Sequence, residues 1–519
     1  MDDMTNYTIK ILCGVFFACF FCYVTATAQK RTSGQPNIVV IMVDDMGYSD
    51  IGYFGSEINT PNIDRLAING LSFRNFYNAG RCCPSRASLL SGLYPHQAGM
   101  GGMVSEGETD PDPGPYQGYL THEYPSIAQQ LKNAGYKAYM SGKWHVGERP
   151  QHWPLKYGFD KYFGLISGAS SYFEIIKEKR TRKMVHNDSL WTPPDSGFYM
   201  TDAIADTAAA YISGHHASES PFFLYVAFTA PHWPFHAMEE DVERYEGMYD
   251  KGWDAIREMR FSRMKGSGLL LDSHQITPLD KEVPSWEDIA NKGEWTRKMQ
   301  VYAAMVDRMD QGVGRILDAL EDEGLFENTV IFFLSDNGGS AENIDARNLH
   351  QYGAVIGQKG SYVSYDLPWA NVSNTPFYKY KSWTHEGGII TPLIIHWPEG
   401  IKRNGVVSSY AGHIVDIAAT SMDLAGISDK NLEGESLRPL FTRELNNNRE
   451  IYWEHFGKKA VRKGNWKIVN AGGSDDWYLF DLRNDPTEMV DLADQYPKTL
   501  NKLIKKYNKW SKRVGVKEE

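Results

Sequence analysis

Five stretches of the chain are apolar with little interruption and rich in β-branched or aromatic side chains: NIVVIMV (37–43), YKAYM (136–140), FFLYVAF (222–228), TVIFFL (329–334) and PLIIHW (392–397). They lack the alternation of a strand with one wet face, so they predict strands of a parallel sheet buried on both sides. Between them the period lengthens. SIAQQLKNAG (126–135) carries a serine at its start and a glycine at its end, as a capped helix does. In 302–324, Met305, Met309, Val313, Ile316, Leu317 and Leu320 share one helical face. Strands alternating with helices predict a large, doubly wound, mostly parallel α/β domain.

The texture changes near residues 446–449. REIYWEHFGKKAVRKGNWKIV reads as hairpin strands with a turn at Lys463-Gly464-Asn465. The remainder reads as a further strand, a turn and an amphipathic helix. The expected organisation is a catalytic domain over 29–445 and a small antiparallel α+β domain over 446–519. The polar, aromatic-dotted segment 238–295 reads as an insertion near the active-site face. At the other end, Lys10 precedes the apolar run 11–24, followed by Ala26-Thr27-Ala28. That run is short for a membrane span and normal for a signal peptide, so residues 1–28 are expected to be a cleaved leader, leaving no stable membrane span. A lipid attached at Cys19 or Cys22 is the minor alternative.

Composition narrows the class. Apolar residues make up 42% and charged residues 23% of the 519, as in a soluble globular protein, and the net charge of −11 argues against a nucleic-acid partner. Of the five cysteines, Cys13, Cys19 and Cys22 fall in the leader, so an exported chain would keep only Cys82 and Cys83. Neighbouring residues meet disulfide geometry only under strain, and the pair lacks the Cys-x-x-Cys spacing of a zinc site. Either one of them is kept for chemistry or both are small apolar side chains.

Open parallel sheets bind ligands beyond the carboxyl ends of their strands. Asp44 and Asp45 follow the first run. Lys143 and His145 follow the second, His232 the third, and Asp336 and Asn337 the fourth. Either acidic pair alone could be a solvated turn or a helix cap. Ending buried strands, three carboxylates and an amide oxygen make an all-oxygen site for a hard divalent cation, Ca²⁺ or Mg²⁺. In RCCPSRASLLSG (81–92), Pro84 suits a first helical turn and Gly92 a helix end, which sets Cys82 at a helix N-terminus that favours negative charge. Arg86 lies one turn on. Lys143, Lys381 and Arg86 are candidates to hold a tetrahedral oxyanion, and His145 and His232 to move protons. Together they describe group transfer from an anionic ester.

These residues resemble the type I, formylglycine-dependent sulfatases of the alkaline-phosphatase-like superfamily. CCPSR (82–86) is similar to the family's Cys-x-Pro-Ser-Arg signature. VDDMG (43–47), GKWHVG (142–147), LSDNGG (334–339), KSWTHEGGIITP (381–392) and LFDLRNDPTEMVDLA (479–493) resemble its other blocks in the same order. The resemblance implies a sulfuric ester hydrolase in which a maturating, formylglycine-generating enzyme oxidises Cys82, whose hydrate then attacks sulfur. It implies Ca²⁺ held by Asp44, Asp45, Asp336 and Asn337 with an oxygen of the modified Cys82. Arg86 would steady that residue, Lys143 and Lys381 would hold sulfate oxygens, His145 would assist the hydrate, and His232 would protonate the leaving alcohol. Cys83, at the variable position, would only pack.

Ser91, Leu93 and Ile390 depart from residues frequent at their positions, outside the core of the signature. The expected substrate is a sulfated oligosaccharide or polysaccharide of algal or host origin, met in a bacterial periplasm. Trp233, Trp369 and Tyr378 are candidates to stack on sugar rings, or ordinary core residues. The competing readings are a phosphodiesterase or phosphonate monoester hydrolase on the same scaffold and a glycan-binding relic.

Overall fold

A computed structural model describes residues 34–517 apart from 108, 177–181, 216–219 and 447. The expected leader, with Cys13, Cys19 and Cys22, lies outside the described residues. The main sheet is built from β1 (Asn37–Val43), β2 (Leu71–Tyr77), β3 (Lys137–Gly142), β4 (Lys161–Leu165), β5 (Met184–His186), β6 (Ser189–Trp191), β7 (Phe222–Ala227), β8 (Thr329–Ser335), β9 (Leu393–His396) and β10 (Val406–His413). Its spatial order is β10-β2-β9-β8-β1-β7-β3-β4-β5-β6. Strands β8, β1, β7 and β3 are neighbours and all parallel.

The unbroken apolar runs have a direct cause. Val39, Ile41 and Val43 of β1 enter one hydrophobic layer, while Ile38, Val40 and Met42 enter the other. Phe222, Leu224 and Val226 of β7 part from Phe223, Tyr225 and Ala227 in the same way. Each fully buried aliphatic side chain contributes about 1.5–3 kcal/mol, so a strand apolar at every position is held from both sides. The 31-residue helix Lys292–Asp322 covers one face, with the six residues expected on its apolar side all buried. The helix Ile127–Asn133 starts as expected, Ser126 accepting a hydrogen bond from Gln129 N at 3.1 Å.

One strand runs against expectation. β9 is buried along its length but antiparallel to both its neighbours, β2 and β8. An apolar run reports burial of both faces, not the direction of pairing. Strands β2 and β10 escaped the pattern because polar residues interrupt them. Arg74 of β2 is buried all the same, its guanidinium donating to the carbonyls of Leu269 and Gly268.

The C-terminal sheet is antiparallel, in the order β11 (Glu450–His455), β12 (Lys458–Lys463), β13 (Trp466–Asn470) and β14 (Tyr478–Asp481). Gly464 makes the anticipated β12–β13 turn at φ 58°. The helix Pro497–Val514 packs on this sheet through Leu503, Tyr507, Trp510 and Val514. The segment 238–295 forms the helix Gly252–Gly266 and shorter turns. It is tied down by Arg260, which pairs with Asp50 at 2.6 Å and Glu57 at 2.7 Å. None of its residues lines the cavity described below; it packs on the loops that carry Asp50 and, through Asp280, Lys379.

A buried ammonium joins the two sheets. Lys467 of β13 lies 2.6 Å from Glu386 of the large domain and 2.7 Å from Glu488 of the small one, all almost fully buried. Glu386 also accepts from Tyr77 at the end of β2 at 2.7 Å, and Trp453 Nε1 donates to Asn78 O at 2.8 Å. Removing the cation would leave two carboxylates facing each other without compensation. Lys467→Met is therefore expected to destabilise the protein by about 3–5 kcal/mol, read as a fall in Tm and in the denaturant midpoint.

Candidate active site

The strand order explains why residues distant in sequence meet. Because β8, β1, β7 and β3 run side by side in one direction, their carboxyl ends deliver Asp336 and Asn337, Asp44 and Asp45, His232, and Lys143 and His145 to one edge. The β1–β8 register ends at Val43 opposite Ser335, so Asp44 and Asp336 leave the sheet in step. β2 points the same way and feeds the helix Cys82–Ser91. Lys381 lies upstream of β9, and the reversed direction of that strand brings its amino-terminal side to this same edge. Every site residue expected from the sequence is thus brought together.

Three carboxylates and three permanent cations interlock here. Lys143 Nζ lies 2.5 Å from Asp44 Oδ2, and Lys381 Nζ lies 2.8 Å from Asp45 Oδ2. Arg86 binds Asp336 Oδ2 through Nη2 at 2.7 Å and Nε at 3.1 Å, and donates to the Lys143 carbonyl at 3.1 Å. Asn337 Nδ2 donates to Asp45 Oδ1 at 2.7 Å, while Asp45 N donates to Asp336 Oδ1 at 3.2 Å. Burial pushes the carboxyls of Asp44 and Asp336 up, opposed by Lys143 and Arg86 and reinforced by the neighbouring acids. Asp45 and His145 hold left-handed backbone conformations at φ 65° and 54°, strain of about 1–3 kcal/mol each that sites of this kind concentrate.

Two oxygens in this network are buried without a hydrogen bond: Asp44 Oδ1 and Asn337 Oδ1. The Asn337 amide has spent its donors on Asp45 and the Gly338 carbonyl, which leaves its oxygen as an unused acceptor. With Asp45 and Asp336 this is an oxygen donor set that fits Ca²⁺ or Mg²⁺. The paired charges cancel, so a divalent cation would leave the site positive, the sign that attracts an anionic ester.

Cys82 and Cys83 open the helix Cys82–Ser91 and are both buried. Cys82 lines the cavity and Cys83 does not. A hydrogen bond from Cys83 draws the Cys82 thiol well below its ordinary value, with Lys143 and His145 acting against burial in the same direction. Burial pushes Cys83 up. Cys83 also makes one polar contact, its Sγ lying 3.3 Å from His145 Nε2. Burial lowers His145 to about 4 and His232 to about 3, the latter against the pull of Asp45, so both imidazoles are neutral at pH 7 before substrate arrives. His232 Nδ1 lies 2.6 Å from the Trp233 carbonyl, which makes Nδ1 the protonated nitrogen and turns Nε2 toward Asp45 Oδ2, 3.5 Å away.

Above this floor is a cavity of about 450 Å³, lined by Cys82, His145, His232 and Lys381, and by residues the sequence did not single out: Arg81, Met103, Glu106, Arg182, Glu342 and Arg347. Glu342 accepts from Lys381 at 3.1 Å, Arg81 at 2.9 Å and Trp233 Nε1 at 2.9 Å. Burial raises its carboxyl, but Lys381 and Arg81 overcome this and hold it below the carboxylate range. Its only sequence signal is proximity to Asn337 in the same loop. Of the three aromatics considered for sugar stacking, Trp233 alone lines the cavity. Trp369 is fully buried, edge-on to Trp253 and Tyr249, with its Nε1 on the Trp295 carbonyl at 3.0 Å. Tyr378 packs against Lys379 and His385.

An oxygen-rich donor set at the carboxyl edge of a mixed sheet, with lysines, arginine and histidines around a cysteine at a helix start, has the make-up of a hydrolase of anionic esters. Residues 36–427 match the sulfatase family, and residues 376–513 match the C-terminal region of N-sulphoglucosamine sulphohydrolase. The chain belongs to the sulfatase family and is a sulfuric ester hydrolase. It is 36% identical to the arylsulfatase of Klebsiella aerogenes over 436 residues, covering 80% of this chain and 92% of that protein. It is 32% identical to an uncharacterized sulfatase of Schizosaccharomyces pombe over 94% of this chain and 95% of that one. The solved structure of Ps i-CgsB in complex with k-i-k-neocarrahexaose is similar at a TM-score of 0.68 and 26% identity, covering 92% and 93% of the two chains.

Two outcomes are expected from this geometry. Calcium added to chelator-stripped protein should raise Tm, by the equivalent of about 2.7 kcal/mol at hundredfold excess over Kd. Asn337→Ala should require on the order of tenfold more calcium for the same rise. Second, Gly168 leaves room for the His145 ring, since a Cβ there would collide with His145 Nε2. Gly168→Ala is expected to displace the imidazole and lower kcat/KM by about tenfold or more, measured on a chromogenic sulfate ester.

Proposed function

We propose that this sulfatase removes sulfate from sulfated oligosaccharides, with Cys82 oxidised to formylglycine by a maturating enzyme and a divalent cation, Ca²⁺ or Mg²⁺, held by Asp44, Asp45, Asp336 and Asn337. One observation carries the reading. Of the two adjacent cysteines, Cys82 faces the cavity, at the start of a buried helix, and its charge acts on Asp336. A hydrated aldehyde there would supply the nucleophile, and the cation would supply Lewis acidity.

The chain's own residues do the rest. Lys143 and Lys381 bring positive charge to the sulfate oxygens from opposite members of the Asp44–Asp45 pair. Arg86, held on both Asp336 and the Lys143 carbonyl, fixes the spacing between the modified residue and the carboxylates. His145, its Nε2 beside the cysteine pair, takes and returns a proton at that nitrogen. His232 is anchored by Nδ1 on the Trp233 carbonyl, so Nε2 is the atom that faces the leaving alcohol, and it must first take up a proton there before it can pass one to that oxygen. The oligosaccharide substrate class draws support from the neocarrahexaose complex of a relative and from the polar cavity. Export to a periplasm rests on the Lys10–Ala28 pattern, and amino-terminal sequencing of the protein from cell fractions tests it.

The decisive experiment combines mass and turnover. The peptide containing Cys82, from protein made with a maturating enzyme, should carry the mass of an aldehyde at Cys82 with Cys83 unchanged. Nitrophenyl sulfate should be hydrolysed in strong preference to a nitrophenyl phosphodiester, and Cys82→Ala should lower turnover by at least about three orders of magnitude. Intact turnover in Cys82→Ala, or dominant phosphodiester turnover, overturns the reading.

A further inference from the structure

The cavity wall holds a cation that the desulfation chemistry leaves unused. Arg347 sits in the short turn Asp345–Arg347 with its guanidinium carbon 4.4 Å above the ring of Trp233. Arg81 and Lys381, two other cations of the cavity wall, are both committed to Glu342. Arg347 lines the cavity, yet its side chain has no hydrogen bond or ion pair among the described residues.

Stacking fixes the plane of a guanidinium while leaving its N–H edges open to an acceptor in that plane, the geometry that binds sulfate or carboxylate through two hydrogen bonds. Trp233 is the residue after His232, and its indole N–H is held by Glu342 at 2.9 Å. The ring that carries Arg347 is therefore fixed relative to the site of bond cleavage. Arg347 is not among the residues assigned to the scissile sulfate, so a group it binds is a different one.

Resting on the desulfation reading above, we propose that Arg347, displayed on Trp233, binds a second anionic group on the substrate, so that the enzyme selects oligosaccharides carrying a sulfate or carboxylate on the sugar next to the one it desulfates. Three substrates test this: a monosulfated neutral disaccharide, the same disaccharide with a second sulfate on the neighbouring sugar, and the same with a neighbouring uronic carboxylate. The second and third arms separate the two sources of charge, and preference for either supports the proposal. The expected result is a kcat/KM for a two-anion substrate on the order of tenfold above that for the monosulfated one, carried by KM. That ratio should collapse in Arg347→Ala, recover in part in Arg347→Lys, and shrink as salt rises, because the guanidinium is exposed.

Binding of the same compounds to Cys82→Ala protein, measured by calorimetry, gives the ratio without turnover. A wild-type protein with no preference for either second anion, or an Arg347→Ala protein that keeps the preference, overturns the proposal. Failure of the wild type to release sulfate from any of the three would sink the desulfation reading instead, and the calorimetric ratio still decides the role of Arg347.

Discussion

Three carboxylates cannot be buried at adjoining strand ends unless something cancels their charge, and much of this molecule is arranged around that constraint. Asp44, Asp45 and Asp336 leave the edge of the sheet within reach of one another because β1 and β8 are parallel and in register. Each is met by a cation from a different part of the chain: Lys143 after β3, Lys381 before β9, and Arg86 from the helix that Cys82 begins. The pairs are nearly dry, so each would be far costlier to break than to keep. The network that makes the site electrostatically tolerable is the same one that sets the spacing between the cysteine, the lysines and the unpaired oxygens of Asp44 and Asn337.

The central sheet was readable because its strands are apolar at every position, a direct result of two hydrophobic layers sharing one strand. Asp44, Asp45, Asp336, Asn337, Lys143, His145 and His232 were readable for a related reason: polar residues immediately following a buried strand have few other places to be. Cys82, Arg86 and Lys381 could be weighed as candidates but not positioned, since neither a helix start nor a lysine before a strand reveals which edge it faces. The resemblance supplied their roles, and the direction of β9 supplied the geometry for Lys381.

What stayed hidden was hidden for physical reasons. β2 and β10 mix polar residues into their runs, and Arg74 is satisfied by carbonyls that no local pattern announces. Glu342 and Arg347 sit in a loop, where function depends on tertiary neighbours rather than on period. Cys83 was expected only to pack because it holds the variable position of the signature, and no local pattern announces that its sulfur meets the His145 ring from another strand end. For Trp369 the sequence left two readings open, and its full burial selects the ordinary-core one.

The Lys467 bridge makes the final stretch of the polypeptide a condition of the earlier ones. Glu386 opens the short helix between Lys381 and β9, and its charge is compensated by Lys467 only when β13 has been synthesised and docked. A ribosome that stops before that point would have made every residue of the catalytic edge and still released a chain with an unmatched acid behind it. Shortening the chain from the carboxyl side past Lys467 would therefore strip Glu386 of its counter-charge while every residue of the catalytic edge remained.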